Sequence, residues 1–244
     1  MTAYGSFASV YDALMHPPYD EWAVYVQALW RRFGASVPRL VLDLACGTGN
    51  MTARFAKQGY DMIGVDLAAD MLAVASAKNP EILYLCQDMR AFELYGTVDA
   101  ACCLCDGMNY LADYEELVQV LCLIKNYLNP GGVFVFDMNT EHYFAEVLGG
   151  NVFAEANDTA AYIWENDYDP DTRTNEYAVT FFAKEANGLF RRFEEIHAET
   201  AFTEAEVRHA VEAAGLVFCA VYADASCELP RADTERVHYI VRKG

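Results

Sequence analysis

The sequence predicts an α/β fold built on a mostly parallel sheet, with an antiparallel insertion in its second half. Two patterns support this prediction. Up to residue 140, short apolar runs alternate with helical segments, as in strands joined by crossover helices. Each apolar run ends in an acidic residue or a glycine turn. Residues 150–202 instead contain extended runs separated by turn residues, which is typical of antiparallel strands. We therefore expect a core of residues 1–149 and 203–244, with an N-terminal helical cap, and an insertion of residues 150–202.

The composition is that of a globular protein with an acidic surface. The 244 residues are 54% hydrophobic, and 36 acidic residues against 17 basic ones give a formal net charge of −19. A protein that binds nucleic acid needs basic surface to displace counterions, and anionic membranes make the same demand, so neither partner is expected. No apolar run is long enough to span a membrane. The eight cysteines, together with the lack of a signal-peptide pattern, predict reduced thiols and a cytoplasmic location.

The N-terminal stretch, residues 1–36, is rich in aromatic side chains and precedes the first core strand. Its segment from Tyr19 to Phe33 is predicted to form an amphipathic helix. Before that helix, Tyr11-Asp12 is followed by an apolar pair.

The run from Leu40 to Asn50 predicts a buried strand that breaks into a glycine turn and then a helix. Gly47 and Gly49 lack a Cβ and let a ligand approach the backbone, while the helix start offers unpaired N–H groups. A dinucleotide fingerprint would need a third glycine where Thr52 stands. The carboxylate of Asp43, within the strand, disfavours a pyrophosphate and favours a cationic ligand. The turn therefore predicts a cofactor site of a different kind from that of NAD.

The next two predicted strands also carry acidic residues at their ends. Residues 60–66 end in Asp66, and residues 82–89 end in Asp88 and Met89. An acid after the second strand accepts hydrogen bonds from ribose hydroxyls in several nucleotide-binding families, so Asp66 does not discriminate between them. Either aspartate could instead be a helix cap or a turn residue.

Two more core strands are predicted at residues 99–103 and 133–137, with a helix at residues 113–128 between them. Asp113 is expected to cap that helix. Cys102 and Cys105 have C-x-x-C spacing, but they lie on a buried strand and its exit, so we expect packing residues and no metal site.

The insertion is predicted to contain three strands, at residues 162–168, 176–183 and 190–202, with a hairpin turn at Asn187-Gly188. A helix that opens at Thr203 and two strands, at residues 216–222 and 236–241, then complete the core.

The turn after the first strand and the acids at the following strand ends resemble the motifs of class I S-adenosylmethionine (SAM) dependent methyltransferases. Their motif I has the pattern apolar-x-(Asp/Glu)-x-(Gly/Ala)-x-Gly-x-Gly, and the resemblance covers residues 37–140 and 203–244. It implies a Rossmann-like methyltransferase sheet of seven strands, mostly parallel with the last antiparallel, and SAM as cofactor, with S-adenosylhomocysteine (SAH) as product. It also implies that Asp66 binds the ribose, Asp88 the adenine amino group, and Tyr11 the methionine carboxylate. The implied cofactor-binding residues are Tyr11, Asp43, Ala45, Cys46, Gly47, Gly49, Asp66, Leu67, Met71, Asp88, Met89 and Leu104.

Candidates for the acceptor site follow the fourth and fifth strands or lie in the insertion, where Glu195 and His197 share one strand face by period-two spacing. We predict catalytic roles for His197 and Asp106, although a buried structural histidine is the common alternative. The predicted substrate-binding residues are Asn109, Tyr110, Asn139 and Glu195.

The predicted function is therefore transfer of a methyl group from SAM to a small molecule by in-line displacement. The protein is expected to be a monomer or homodimer. Residues 1–16 are expected to close over the cofactor and the insertion to cover the acceptor. The alternatives are an NAD-type oxidoreductase and a SAM-binding protein without catalysis.

Overall fold

The computed structural model describes residue 8 and residues 10–15, 17–185 and 187–244. The helices are α1 (Tyr11–Leu14), α2 (Tyr19–Phe33), α3 (Asn50–Lys57), α4 (Ala69–Lys78), α5 (Tyr114–Tyr127) and α6 (Glu204–Ala213). The strands are β1 (Leu40–Leu44), β2 (Asp61–Asp66), β3 (Leu83–Cys86), β4 (Val98–Cys103), β5 (Leu128–Asn139), β6 (Val152–Ala156), β7 (Ala160–Asp169), β8 (Thr174–Lys184), β9 (Phe190–Thr200), β10 (Val217–Ala223) and β11 (Arg236–Arg242). A 3₁₀ turn at Gly107–Tyr110 follows β4, and a π-helix at Tyr143–Leu148 follows β5.

The larger sheet has seven strands in the order β10-β11-β5-β4-β1-β2-β3. Strands β1 to β5 pair in parallel, whereas β11 runs antiparallel to both β5 and β10. This arrangement confirms the predicted fold class. Because the carboxyl ends of parallel strands meet at one edge, the loops after β1, β2, β3 and β4 converge on a single cleft.

Two apolar layers enclose this sheet, one on each face. On one face, α2 and α3 pack through residues such as Trp30 and Phe55 against Val41 of β1. On the other face, α5 and α6 pack against Leu42 and Leu44. The side chains of β1 therefore alternate between the two layers, as expected for a central strand that is buried on both sides.

Two helix starts carry the caps that the sequence predicts. The Asp113 side chain accepts a hydrogen bond from the Glu116 N–H, and Thr203 forms a complete capping box with Glu206. Strand β5 begins earlier than expected, at Leu128, directly after α5. The left-handed conformation of Gly131, with φ of +77°, lets the chain bulge at residues 129–132 without ending the strand.

The insertion forms a separate antiparallel sheet of four strands in the order β6-β7-β8-β9. The prediction of three strands was therefore wrong, because β6 was missed. This edge strand is mostly exposed and lacks the apolar alternation by which the others are recognised. The hairpin between β8 and β9 lies at Asn187-Gly188 as predicted, and the Glu185 N–H donates to the Leu189 carbonyl across it.

None of the helices in the described part of the chain is long and apolar enough to cross a membrane.

Candidate active site

The turn after β1 forms the floor of the cleft. Ala45, Gly47 and Gly49 all adopt left-handed conformations, with φ of 56°, 54° and 73°. The two glycines serve different purposes. A Cβ at Gly47 would meet nothing within 4 Å, whereas a Cβ at Gly49 would lie 2.6 Å from the Tyr84 hydroxyl. Gly47 thus leaves the cleft open, and Gly49 lets the turn pack against β3.

A cavity of about 430 Å³ lies above this turn, within the size range of small-molecule sites. Among the described residues, Gly49 is the one predicted cofactor residue that does not line this cavity. The others all line the cavity, namely Tyr11, Asp43, Ala45, Cys46, Gly47, Asp66, Leu67, Met71, Asp88, Met89 and Leu104. Sequence reasoning missed several lining residues, among them Tyr19, Thr48, Asn50 and Arg90.

Asp43 is the most deeply buried acid of the cavity wall, with 2% of its surface exposed. The Thr52 hydroxyl donates a hydrogen bond of 2.5 Å to its Oδ2. Burial raises the pKa of Asp43 to about 6, against the Thr52 and Cys102 hydrogen bonds, which lower it. The carboxylate is therefore ionised at neutral pH and ready to face a cationic group.

Asp66 ends β2 and braces the glycine turn. Its two carboxylate oxygens accept 2.8 Å hydrogen bonds from the backbone N–H groups of Gly47 and Ala68. Burial raises the pKa of Asp66, against these N–H donors, which lower it. The residue thus combines the predicted position at the cavity wall with a structural role in the turn.

Asp88 lies at the rim of the cavity, paired with Arg90 at 2.6 Å. Arg90 also reaches Glu116 on α5 at 2.5 Å. Hydrogen bonds from Arg90 lower the pKa of Asp88 below its usual value. A ligand amino group that approaches Asp88 must therefore share the carboxylate with this arginine.

The start of the chain contacts the glycine turn through Asp12, a residue that sequence reasoning did not select. Its carboxylate accepts hydrogen bonds from the side chains of Thr48 at 2.7 Å, Asn50 at 2.8 Å and Lys78 at 2.7 Å. Burial raises the pKa of Asp12, but these three donors outweigh it and bring the value below normal. Helix α1 thereby holds Tyr11 against the cavity. Residues 1–7, 9 and 16 of the predicted lid lie outside the described residues.

Asp106 follows β4 and is not among the residues that line the cavity. It pairs with Arg236 at 3.0 Å, and its backbone N–H donates to Asp137 at 3.1 Å. Arg236 also pairs closely with Asp137. Burial raises the pKa of Asp106, against Arg236, which lowers it. Asp106 is thus part of a buried ion cluster that fixes the loop after β4.

The two predicted substrate-binding asparagines also have structural roles. Asn109 is fully buried, and its side-chain amide donates to the carbonyls of Asn139 and Thr200, at 3.1 and 2.9 Å. Its oxygen accepts the Asn139 N–H at 2.9 Å. Neither asparagine lines the cavity, and their hydrogen bonds join β5, β9 and the 3₁₀ turn. Only long-range packing reveals this role.

The face of β9 that packs inward carries buried polar side chains at alternate positions. Glu195 and His197 lie there, as the period-two spacing predicts, and Glu199 continues the alternation. Glu195 and His197 do not line the cavity; they lie behind Tyr110, which does. The Tyr177 hydroxyl on β8 bonds to both Tyr110 and Glu199, at 2.8 Å each. The same alternation would have identified Glu199 from the sequence.

Comparison with known proteins places the fold and the cleft in one family. Residues 41–132 match a family model described as a methyltransferase domain. The chain is 33% identical over 245 aligned residues to YqeM, a methyltransferase-family protein of Bacillus subtilis (strain 168), and the alignment covers 98% of this chain and 97% of YqeM. The chain belongs to the class I SAM-dependent methyltransferases. The crystal structure of a SAM-dependent methyltransferase from Clostridium acetobutylicum ATCC 824 matches it with a TM-score of 0.89 and 29% identity over 99% of both chains.

A third relative is the dTDP-3-amino-3,4,6-trideoxy-alpha-D-glucopyranose N,N-dimethyltransferase of Streptomyces venezuelae. It is 30% identical over 181 residues, which are 72% of this chain and 74% of that protein.

The methyltransferase uses SAM as its methyl donor, as the sequence predicts, and the oxidoreductase alternative is wrong. Its cavity fits this cofactor, since Gly47 leaves the floor open and Asp43 lines the wall with a buried carboxylate that suits a cationic ligand. When bound, SAM supplies a methyl group on a sulfonium that departs as a neutral thioether. Family membership favours this chemistry over binding alone.

Proposed function

We propose that this methyltransferase transfers a methyl group from SAM to an amine nitrogen of a small molecule. The observation that carries the proposal is the buried acidic face of β9, next to Tyr110 at the cavity wall. Glu195 is 8% exposed, so its carboxylate acts through a medium of low dielectric constant. A cationic amine is favoured in such surroundings. The N,N-dimethyltransferase relative acts, by its name, on an amino sugar nucleotide, which supports the same acceptor class.

In this proposal, the cofactor lies along the loops after β1, β2 and β3. Asp43 and Gly47 face its methionine part, Asp66 the ribose hydroxyls, and Asp88 and Met89 the adenine. Tyr11, held by α1, lies near the methionine carboxylate. Each of these residues lines the cavity, which supports the assignment.

The sheet of β6 to β9 covers the acceptor in this proposal, as a unit of residues 150–202 on a core formed by the rest of the chain. We further propose that the protein acts in the cytoplasm as a monomer or homodimer. The net charge of −19 argues against nucleic acid as acceptor.

A screen for SAH release tests the proposed acceptor class. Amino sugar nucleotides, amino acids and simple amines are compared with matched analogues in which a hydroxyl replaces the amine, and with transfer RNA. We expect SAH from amines and only background release from the hydroxyl analogues. Turnover of the hydroxyl analogues alone, or of RNA, would contradict the proposal. Calorimetry with SAM, SAH and NAD separately checks the cavity, since only the first two should bind.

A further inference from the structure

The Tyr110 hydroxyl connects the cavity to a buried group of titratable side chains. Tyr110 ends the 3₁₀ turn after β4 and lines the cavity. Its oxygen lies 3.1 Å from His197 Nδ1 and 2.8 Å from the Tyr177 oxygen. Any acceptor that reaches this end of the cavity therefore meets a hydroxyl already bonded to an imidazole.

The imidazole of His197 is held in one orientation by its neighbours. The Tyr177 ring stacks on it at 5.0 Å and 18°, and the Tyr110 ring meets it edge-on at 5.9 Å and 81°. On the far side, His197 Nε2 lies 3.6 Å from Glu195 Oε2, within ion-pair range but longer than a hydrogen bond. The two side chains are 2% and 7% exposed. A carboxylate at this distance favours a proton on Nε2, which leaves Nδ1 as an acceptor.

The other end of the network favours the same direction of hydrogen bonding. The Asn139 amide donates to Glu199 Oε2 at 3.5 Å, so a proton on this carboxyl belongs on Oε1, which faces Tyr177 at 2.8 Å. Burial, with Asp106 nearby, raises the pKa of Glu199 to about 8, so the carboxyl holds its proton at neutral pH. When protonated, Glu199 donates to Tyr177, whereas the ionised carboxylate would accept from that hydroxyl. Tyr177 then donates to Tyr110, and Tyr110 to His197. Each of these three hydrogen bonds thus has one donor and one acceptor.

We propose that Tyr110, His197 and Glu195 form a relay that takes a proton from the acceptor before methyl transfer. This inference rests on the proposed function. Tyr110 is the catalytic residue, because its hydroxyl touches the acceptor; His197 and Glu195 act through it as positioning residues. The arrangement of a hydroxyl, a base and a group that orients the base is the one used to activate nucleophiles.

The chemistry of an amine explains why a relay is needed. An alkyl amine has a pKa near 10 in water, so at neutral pH it is an ammonium without a free electron pair. The Tyr110 oxygen receives one proton from that nitrogen while its own proton passes to His197 Nδ1. The electron pair freed on nitrogen forms the new N–C bond, and the pair of the breaking C–S bond stays on sulfur. The imidazolium, stabilised by Glu195, returns its proton through Tyr110 to solvent after the product leaves.

Nitrogen NMR of the cofactor-free protein with ¹⁵N-labelled histidine tests the relay directly. We expect His197, assigned by its loss in His197→Gln, to carry its proton on Nε2. Glu195→Gln, which keeps the volume and removes the charge, should shift the population toward the Nδ1–H form. Tyr110→Phe should change the Nδ1 signal, whereas Tyr168→Phe, on the same sheet, and His209→Gln, on the exposed face of α6, should leave it unchanged. A proton on Nδ1 in the wild-type protein would overturn the relay.

Kinetics with an amine that releases SAH in the screen above gives a second measurement. Loss of general-base catalysis typically costs about 10²–10⁴-fold, so we expect His197→Gln to lower kcat by that factor. The KM for SAM should stay within about twofold, because His197 lies outside the cofactor cavity. Unchanged kcat in His197→Gln would refute the relay. A screen without any amine substrate would count against the proposed function, whereas the NMR result decides the relay independently.

Discussion

Replacement of Gly47 by alanine tests whether the turn after β1 contacts SAM. Gly47 has φ of +54°, and an added Cβ would meet no protein atom within 4 Å, so it would project into the open cavity. A side chain in the left-handed region costs about 1–2 kcal/mol, which in a chain of this size lowers Tm by roughly 2–8 °C. An extra methyl group in a packed site costs about 1–3 kcal/mol, so SAM affinity should fall by about fivefold to 150-fold.

Two other glycines provide matched comparisons for this variant. Gly59, in the turn between α3 and β2, has φ of +96° and also has open space around its Cβ position. Gly59→Ala should therefore cause a similar loss of stability and leave SAM binding unchanged. Gly49→Ala should destabilise the fold more than either, since its Cβ would lie 2.6 Å from the Tyr84 hydroxyl.

Calorimetry with SAM and thermal unfolding of the same samples measure both effects. Wild-type affinity in Gly47→Ala would remove the turn from the cofactor site. An equal loss of affinity in Gly59→Ala would refute the argument in a different way, because it would attribute the effect to backbone strain rather than to contact.

Three further predictions concern the acids around the cleft. Asp12→Ala removes the acceptor shared by three side chains on the turn, α3 and α4, so the amide hydrogens of residues 10–15 should exchange faster than in the wild type. Hydrogen exchange measured by mass spectrometry in the presence of SAM checks this, and unchanged exchange would show that Asp12 does not hold α1. SAM affinity should fall as the pH drops below about 6, because a bound cation favours ionised Asp43 and protonation of Asp43 opposes binding. Calorimetry between pH 5 and 8 should show a weaker dependence of SAM affinity on pH for Asp43→Asn, and the same dependence in both proteins would exclude Asp43 as the cause. The pKa of Glu199 is raised from 4.5 to about 8 in the folded state, so the folded state binds one more proton than the unfolded state between these pH values. The free energy of unfolding should therefore decrease as the pH rises from about 4.5 to about 8. Denaturant unfolding of Glu199→Gln should show a smaller decrease than the wild type, and an equal decrease would contradict this prediction.

The sequence predicted those parts of the site that lie within one strand and the turn after it. Asp43, Gly47 and Asp66 follow this rule, because a parallel sheet brings consecutive strand ends to one edge. The alternation along β9 likewise placed Glu195 and His197 on a single face.

Residues whose roles depend on contacts across the chain could not be assigned in the same way. Asp12 meets side chains 36 to 66 positions further along the sequence, and Asp106 pairs with an arginine 130 positions away. Asn109 has the polarity expected of a substrate contact, but its partners are backbone groups of β5 and β9. Local pattern gives the position of such residues, and only the packed structure gives their partners.

Thr52 shows how one substitution in a motif can change the ligand that a fold accepts. In a dinucleotide site, a glycine at this position permits close packing of helix on strand. Here the threonine is fully buried, and its hydroxyl donates to Asp43 from the first turn of α3. The threonine that replaces the third glycine of the dinucleotide motif thus also stabilises the carboxylate that we propose faces the sulfonium cofactor. The two departures from the dinucleotide motif, Asp43 and Thr52, are therefore one hydrogen-bonded pair, and they are expected to change together.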